Sequence, residues 1–467
     1  MIKKLTKIVA TIGPATETEE VLGKLIEAGM NVARFNTKHS SPQWHHERME
    51  RVRKVAAEKK AAVGILLDLQ GPEIRINLPD EKPFDLVEGE RVLFTYVTDM
   101  EAVKKVLIPQ NVVETLQVGN VVLLDDGFCE LEVVEKNDDS LVLQALTACT
   151  VKHRKTMNVP GVTIDMPSLV EADYQQLDGV ANSDLVDFVG LSFVRDKRDI
   201  DFLRAELDKR GIQASIVSKI ETQAALDNLE EIVLASDSVM VARGDLGVEM
   251  PYEELVVWQK RIIDLCREYA KPVITATQML KSMTEQPRPT RAEVSDVAHA
   301  IYDGTDVIML SEETTIGKYP VKAVATQATI AAFNEPFANT DLQIATTDNP
   351  QEAITNSAVE LAEVSGLEID GLVNLTTSGR SALLLARLHP SKPVIAVTGE
   401  ARVYRMLSLA YGVVPVLAEP EMVGDCDKAL AMLREQGLVA SGQKVIVTHG
   451  VPHQVGGTNT VSVVTVE

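Results

Sequence analysis

Aromatic side chains are scarce in this chain: 4% of 467 residues, with two tryptophans. Cysteine is rarer, and the four (Cys129, Cys149, Cys266, Cys426) stand far apart without CxxC spacing. That argues against a disulfide scaffold and reads as four reduced thiols of a cytosolic protein. Positive charge is also in deficit, 46 Lys+Arg against 68 Asp+Glu, for a net −22. Such a surface repels phosphate backbones and anionic lipid, so neither nucleic acid nor membrane is an expected partner. No apolar run reaches the length of a membrane span. Lys3, Lys4 and Lys7 precede an apolar stretch that Gly13-Pro14 ends too early for a signal peptide. Neither GxxxxGK[ST] nor GxGxxG occurs, so nucleotide phosphates are not held by those loops.

What is present is alternation. Eight short β-rich runs stand at 7–12, 32–35, 63–68, 187–193, 215–220, 238–242, 272–276 and 306–310. Most are nearly continuous in Val, Ile, Leu and Met, as strands buried on both faces are. Helical patterns at 17–28, 42–59, 169–182, 224–235, 252–270, 290–302 and 320–337 lie between and after them. Strand–helix alternation predicts a parallel sheet, and eight repeats favour an α/β fold of the (β/α)8 TIM-barrel type. The third repeat is interrupted: 76–150 reads as short alternating strands with a hairpin signal at Asp125-Asp126-Gly127. This predicts a small inserted β-barrel lid at a strand's C-terminal end, where barrels carry their sites. A linker is expected at 340–349, followed by a C-terminal α/β domain with strands at 372–375, 394–397, 413–417, 444–448 and 461–466.

Polar residues gather at the predicted strand ends: Arg34-Phe35-Asn36, Asp68, Ser192, Lys219-Ile220-Glu221, Arg243-Gly244-Asp245, Thr277-Gln278 and Ser311-Glu312-Glu313. Lys219 and Glu221 flank Ile220 in an extended run, so both point the same way. Glu221 and Asp245, on adjacent strands, suit one hard cation; with two carboxylates, Mg²⁺ completed by water and substrate fits better than a caged Ca²⁺. His45-His46-Glu47 lacks metal-site spacing and reads as a solvated helix face.

These segments resemble the pyruvate kinase family. The resemblance is carried by residues 7–14 (KIVATIGP), 31–34 (NVAR), 68–75 (DLQGPEIR), 240–247 (MVARGDLG), 274–280 (ITATQML) and 287–293 (PRPTRAE), in family order. It implies a barrel domain at 1–73 and 162–338, a lid at 74–161, a regulatory domain at 347–467 and a cytoplasmic homotetramer. The implied reaction is the last step of glycolysis: Mg²⁺- or Mn²⁺-dependent phosphoryl transfer from phosphoenolpyruvate to ADP, giving pyruvate and ATP. Glu221 and Asp245 would hold the divalent metal. Lys219 would neutralise phosphoryl and enolate charge, and Arg34 would hold the transferring phosphate. Ser192, Gly244, Asp245 and Thr277 would bind substrate, with Thr277, Ser311 and Glu313 along the proton route. Pro14, Asn36, His39, Arg75 and the lid's Lys155 would contact ADP. A phosphorylated effector would dock on Thr376, Thr377, Ser378, Gly379, Arg380 and Ser381, closed over by a loop at 456–460.

Two departures stand out. Position 312 is Glu where the family has Gly or Ala. Asn36, Asp68 and the Leu69 carbonyl match the family's K⁺ site, but its serine is Lys38, so an ammonium is expected to replace the ion by reaching toward Asp68. Two rival readings are a metal-dependent lyase or aldolase of pyruvate-type enolates, which needs no ADP contacts, and a catalytically dead effector-binding protein.

Overall fold

The computed structural model describes residues 4–100, 102, 104–338, 347–363, 366–450 and 457–467. Its centre is a closed, all-parallel barrel of β1 (Lys7–Thr11), β2 (Val32–Asn36), β3 (Gly64–Asp68), β4 (Phe188–Leu191), β5 (Ser215–Ile220), β6 (Ser238–Ala242), β7 (Val273–Ala276) and β8 (Val307–Leu310). All eight strands fall within or beside the predicted runs. Every residue of these strands except Asn36 is buried, which explains why their sequences run apolar instead of alternating. Helices clothe the outside, several with clear start signals. Thr290 and Glu293 form a capping box for the helix Arg291–Tyr302, and Ser41 caps the helix Pro42–Glu58.

Local corrections follow. The helix expected over 169–182 shortens to Glu171–Asp178, and a helix not singled out in the sequence, Lys197–Lys209, follows β4. His45 is not solvated: it is buried against Gln176, 2.9 Å from its Nδ1.

The insertion forms a six-stranded sheet with its own apolar core around Phe94, Leu131 and Leu143. The Asp125-Asp126-Gly127 turn joins strands Val121–Leu124 and Cys129–Lys136, with all three residues at positive φ. The expectation of four free thiols is overturned here. Cys129 and Cys149, 20 apart in sequence, form a disulfide that ties the strand Cys129–Lys136 of this sheet to Cys149–Val151, which pairs with Phe84–Leu86 in a separate two-stranded sheet. Cys266 and Cys426 are free.

The C-terminal unit is a five-stranded sheet, parallel except for its last strand, Thr458–Thr465. Residues 340–346 of the expected linker and Gly456 of the second effector loop lie outside the described residues. Leu409 of this unit joins the barrel's interior cluster with Val9, Leu66, Phe188 and Met240. Gly64, at the start of β3, faces Ser408: an added Cβ would come within 2.4 Å of its Oγ. The C-terminal unit therefore closes the barrel at the strands' N-terminal ends. Among the described residues no helix is long and apolar enough to cross a membrane.

Candidate active site

At the opposite end of the barrel, Arg34, Asp68, Ser192, Lys219 and Glu221 converge in one buried network. The Asp68 Oδ2 accepts from Arg34 Nε at 2.7 Å, and Arg34 Nη1 donates to Thr11 Oγ1 at 2.9 Å. The Lys219 ammonium lies 2.8 Å from Glu221 Oε1, 3.5 Å from Asp68 Oδ1 and 2.7 Å from Ser192 Oγ. Ser192 in turn donates to the Leu69 carbonyl at 2.8 Å. Glu221 Oε2 accepts the Phe193 N–H at 2.7 Å.

Burial opposes charge on Asp68, Lys219 and Glu221, and the partners decide the outcome. Burial raises Asp68, but Lys219 and Arg34 outweigh it and hold the carboxyl below its ordinary range. Burial lowers Lys219, but Asp68, Glu221 and Asp245 outweigh it and hold the ammonium firmly charged. For Glu221 burial wins and, with Asp245 nearby, lifts its carboxyl above the usual range. Glu221 Oε1 is buried with the Lys219 ammonium beside it and no other hydrogen-bond partner. A carboxylate so placed fits a hard cation. Among the described residues no group of three or more His, Cys, Asp or Glu forms a metal cluster, so Glu221 and Asp245 would supply two ligands and leave the rest to substrate and water.

Small residues make this crowding possible. Gly190 pairs with Asp68 across β3 and β4, and a Cβ there would meet Asp68 Oδ1 at 2.7 Å. Thr277 sits at φ 68°, strained for a β-branched residue, and its Oγ1 accepts the Gly244 N–H at 2.9 Å. Arg243 fastens that turn by donating to the Ala276 and Thr277 carbonyls while pairing with Asp296. Asp173 accepts the N–H groups of Gln70 and Gly71, fixing the loop after β3. The sequence placed Arg243 at a strand end but did not signal this bracing role, and no signal marked Asp173 or Gly190.

Other predicted residues take different surroundings. Glu313 is buried, with its two oxygens accepting Ser311 N–H (2.7 Å) and Leu280 N–H (3.0 Å). Glu312 is about half exposed, 3.7 Å from Lys281. Its extra charge thus has a cation beside it, outside the buried network. Lys38 pairs with Glu73 at 3.1 Å rather than with Asp68, although its charge still lowers the Asp68 carboxyl. Asn36 Oδ1 accepts the Lys38 N–H. Arg75 pairs with Glu73 at 2.6 Å, and Lys155 with Asp125 at 2.6 Å, while Pro14 and His39 are exposed. An open cleft between lid and barrel is lined by Glu73, Asp126, Thr156, Asn158, Asp245 and Glu249. Asn158 of the lid donates to Glu249 at 2.8 Å, a link the sequence did not signal.

In the C-terminal unit, Gly379 (φ 81°) donates to Thr376 Oγ1, and Ser381 bonds Asn374 and Thr376. Thr377 and Ser378 are exposed, and Arg380 is partly so.

The family profile described as "Pyruvate kinase, barrel domain" matches residues 3–324, and "Pyruvate kinase, alpha/beta domain" matches 352–464. The chain belongs to the pyruvate kinase family. It is 42% identical to a pyruvate kinase of Sporosarcina psychrophila, over 97% of this chain and 79% of that one. It is 38% identical to a pyruvate kinase of Thermotoga maritima, over 99% of both. Among solved structures, a pyruvate kinase from Cryptosporidium parvum superposes with a TM-score of 0.92 at 34% identity, covering 100% of this chain and 97% of that one. The enzyme class of a pyruvate kinase, a phosphotransferase, follows from that membership.

Proposed function

We propose that the chain catalyses Mg²⁺- or Mn²⁺-dependent phosphoryl transfer from phosphoenolpyruvate to ADP, as the last step of glycolysis in the cytoplasm. The observation that carries this reading is the Arg34–Asp68–Lys219–Glu221 network: two fixed cations and a carboxylate suited to a divalent ion, gathered at the strand ends. Glu221 and Asp245 would hold the metal, which would supply positive charge to the substrate's oxygens. Arg34, braced by Asp68 and Thr11, grips the transferring phosphate. Lys219, kept protonated by its carboxylates, offsets charge on the enol oxygen as its bond to phosphorus breaks and a bond to the ADP β-phosphate forms. Ser192 orients Lys219, and the Gly244–Thr277 contact shapes the substrate carboxylate's seat. Thr277 and Ser311 border the route by which water protonates the enolate carbon, with Glu313 bracing the backbone beside it. Pro14, Asn36, His39, Arg75 and Lys155 bind the nucleotide.

The same reading divides the chain into a barrel (1–73 and 162–338), a lid (74–161) and a regulatory domain (347–467), assembled as a homotetramer. Thr376–Ser381 take a phosphorylated effector such as a sugar phosphate or AMP. Lys38 makes K⁺ dispensable: its ammonium, set between Glu73 and the field of Asp68, stands where the ion's charge is needed. The deciding experiment is a coupled assay for ATP from phosphoenolpyruvate and ADP, with tetramethylammonium and then K⁺ as the monovalent cation, with and without AMP. Metal-dependent ATP formation in both salts is expected. No ATP under any condition refutes the activity, and ATP in K⁺ alone refutes the role given to Lys38.

A further inference from the structure

Lys155 and Lys152 of the lid are partly exposed, yet both are paired with one carboxylate of the lid's own hairpin turn. Asp125 Oδ1 lies 2.6 Å from Lys155 Nζ and Asp125 Oδ2 3.3 Å from Lys152 Nζ. Asp125 is the sheltered member, 17% exposed against 41% and 51% for the lysines. Its position is fixed at several points. The Asp125 N–H donates to the Thr156 carbonyl, Leu124 pairs with Met157 across the sheet, and the Cys129–Cys149 disulfide joins the segments that follow the turn and precede the lysines. Asp126, next in the turn, lines the cleft. The turn therefore presents a carboxylate to the cations that an incoming phosphate must reach.

We propose that Asp125 is a tethered counter-ion that competes with ligand phosphate for Lys155 and so sets how many phosphates a nucleotide must carry to bind. The inference rests on reading Lys155 as a nucleotide contact. A carboxylate already on the ammonium satisfies much of its charge, so a second anion gains less there and meets Asp125's repulsion. A single phosphate has nothing with which to offset that penalty. A diphosphate chain reaches further cations, with Arg75 beside the cleft's Glu73 the nearest candidate. The device thus disfavours AMP and inorganic phosphate more than ADP.

The test is calorimetric binding of ADP, AMP and inorganic phosphate to the full chain and to Asp125→Asn, alone and combined with Lys155→Met. Asparagine tolerates the residue's φ of 53°, so the turn keeps its shape, and Asp125→Ser serves as a second variant. Asp125→Asn is expected to bind AMP and phosphate about fivefold tighter, the scale of one partly exposed ion pair. The gain for ADP should be smaller, and none should appear in the Lys155→Met background. If Lys155→Met loses ADP affinity while Asp125→Asn and Asp125→Ser gain none, the counter-ion role is overturned and the nucleotide assignment stands. If Lys155→Met binds ADP as the wild type does, the assignment falls and the proposal with it.

Discussion

Glu313 shows how a residue picked for one reason can be held for another. Sequence resemblance put it on the proton route; the structure gives both its oxygens to backbone N–H groups of Ser311 and Leu280, and burial lifts its carboxyl. Glutamine keeps the shape but offers one accepting oxygen, so one N–H would face a donor. Glu313→Gln is therefore expected to cost about 1–3 kcal/mol of stability, read as a lower urea midpoint with an unchanged slope. Unchanged stability with lost turnover would return Glu313 to the proton route. Lys38 teaches a related lesson. The sequence announced a cation near Asp68, and the side chain settled on Glu73, a residue 35 positions away that no local pattern pairs with it.

At the scale of elements, strands were the most legible part of the chain. Burial on both faces writes an uninterrupted apolar run, so all eight barrel strands could be read to within a few residues. The lid's shortest strands, Phe84–Leu86, Lys105–Leu107, Cys149–Val151 and Met157–Asn158, were missed because two or three residues carry no period. The disulfide was missed with them, since it joins one of these short strands, Cys149–Val151, to a strand of the other sheet. Site residues at strand ends, Arg243 among them, were legible as polar breaks after apolar runs, whereas Asp173 acts across a loop and left no such mark. Gly190 lies inside a strand and reads as a defect until Asp68 is placed against it. Gly190→Ala should displace the Asp68 carboxylate, loosening Arg34 and Lys219 together. Overpacking of this kind costs about 1–3 kcal/mol. Reduced stability with at least tenfold lower kcat/KM is the expected result; an active, fully stable variant would show that β3 and β4 can part without disturbing the site.

The whole molecule is joined along a seam between the barrel's N-terminal end and the C-terminal unit. Lys7 Nζ donates to the Val413 carbonyl at 2.6 Å, Arg405 pairs with Asp187 at 2.7 Å, and His389 lies 3.3 Å from Asp306. Burial presses Lys7 down to about 8 from its ordinary 10.5, with Glu335 acting the other way. A lysine depressed in the fold binds its proton more weakly there than in the unfolded chain, so its charge burdens the fold below about pH 8. That burden fades as pH rises toward 10.5. Measured as melting temperature, wild type should therefore gain on Lys7→Met between pH 8 and 10.5, and a difference flat across that range would refute the assignment. Leu409 gives the seam a further meaning. A barrel cut free of its C-terminal partner would open an oily mouth where the leucine had been, and two such mouths would meet each other before they met water. Recombining barrels and regulatory units from different relatives thus becomes a matter of matching stopper to bottle: a chimera whose incoming stretch lacks a large apolar residue at that point should be recovered as aggregate, however well its two halves fold alone.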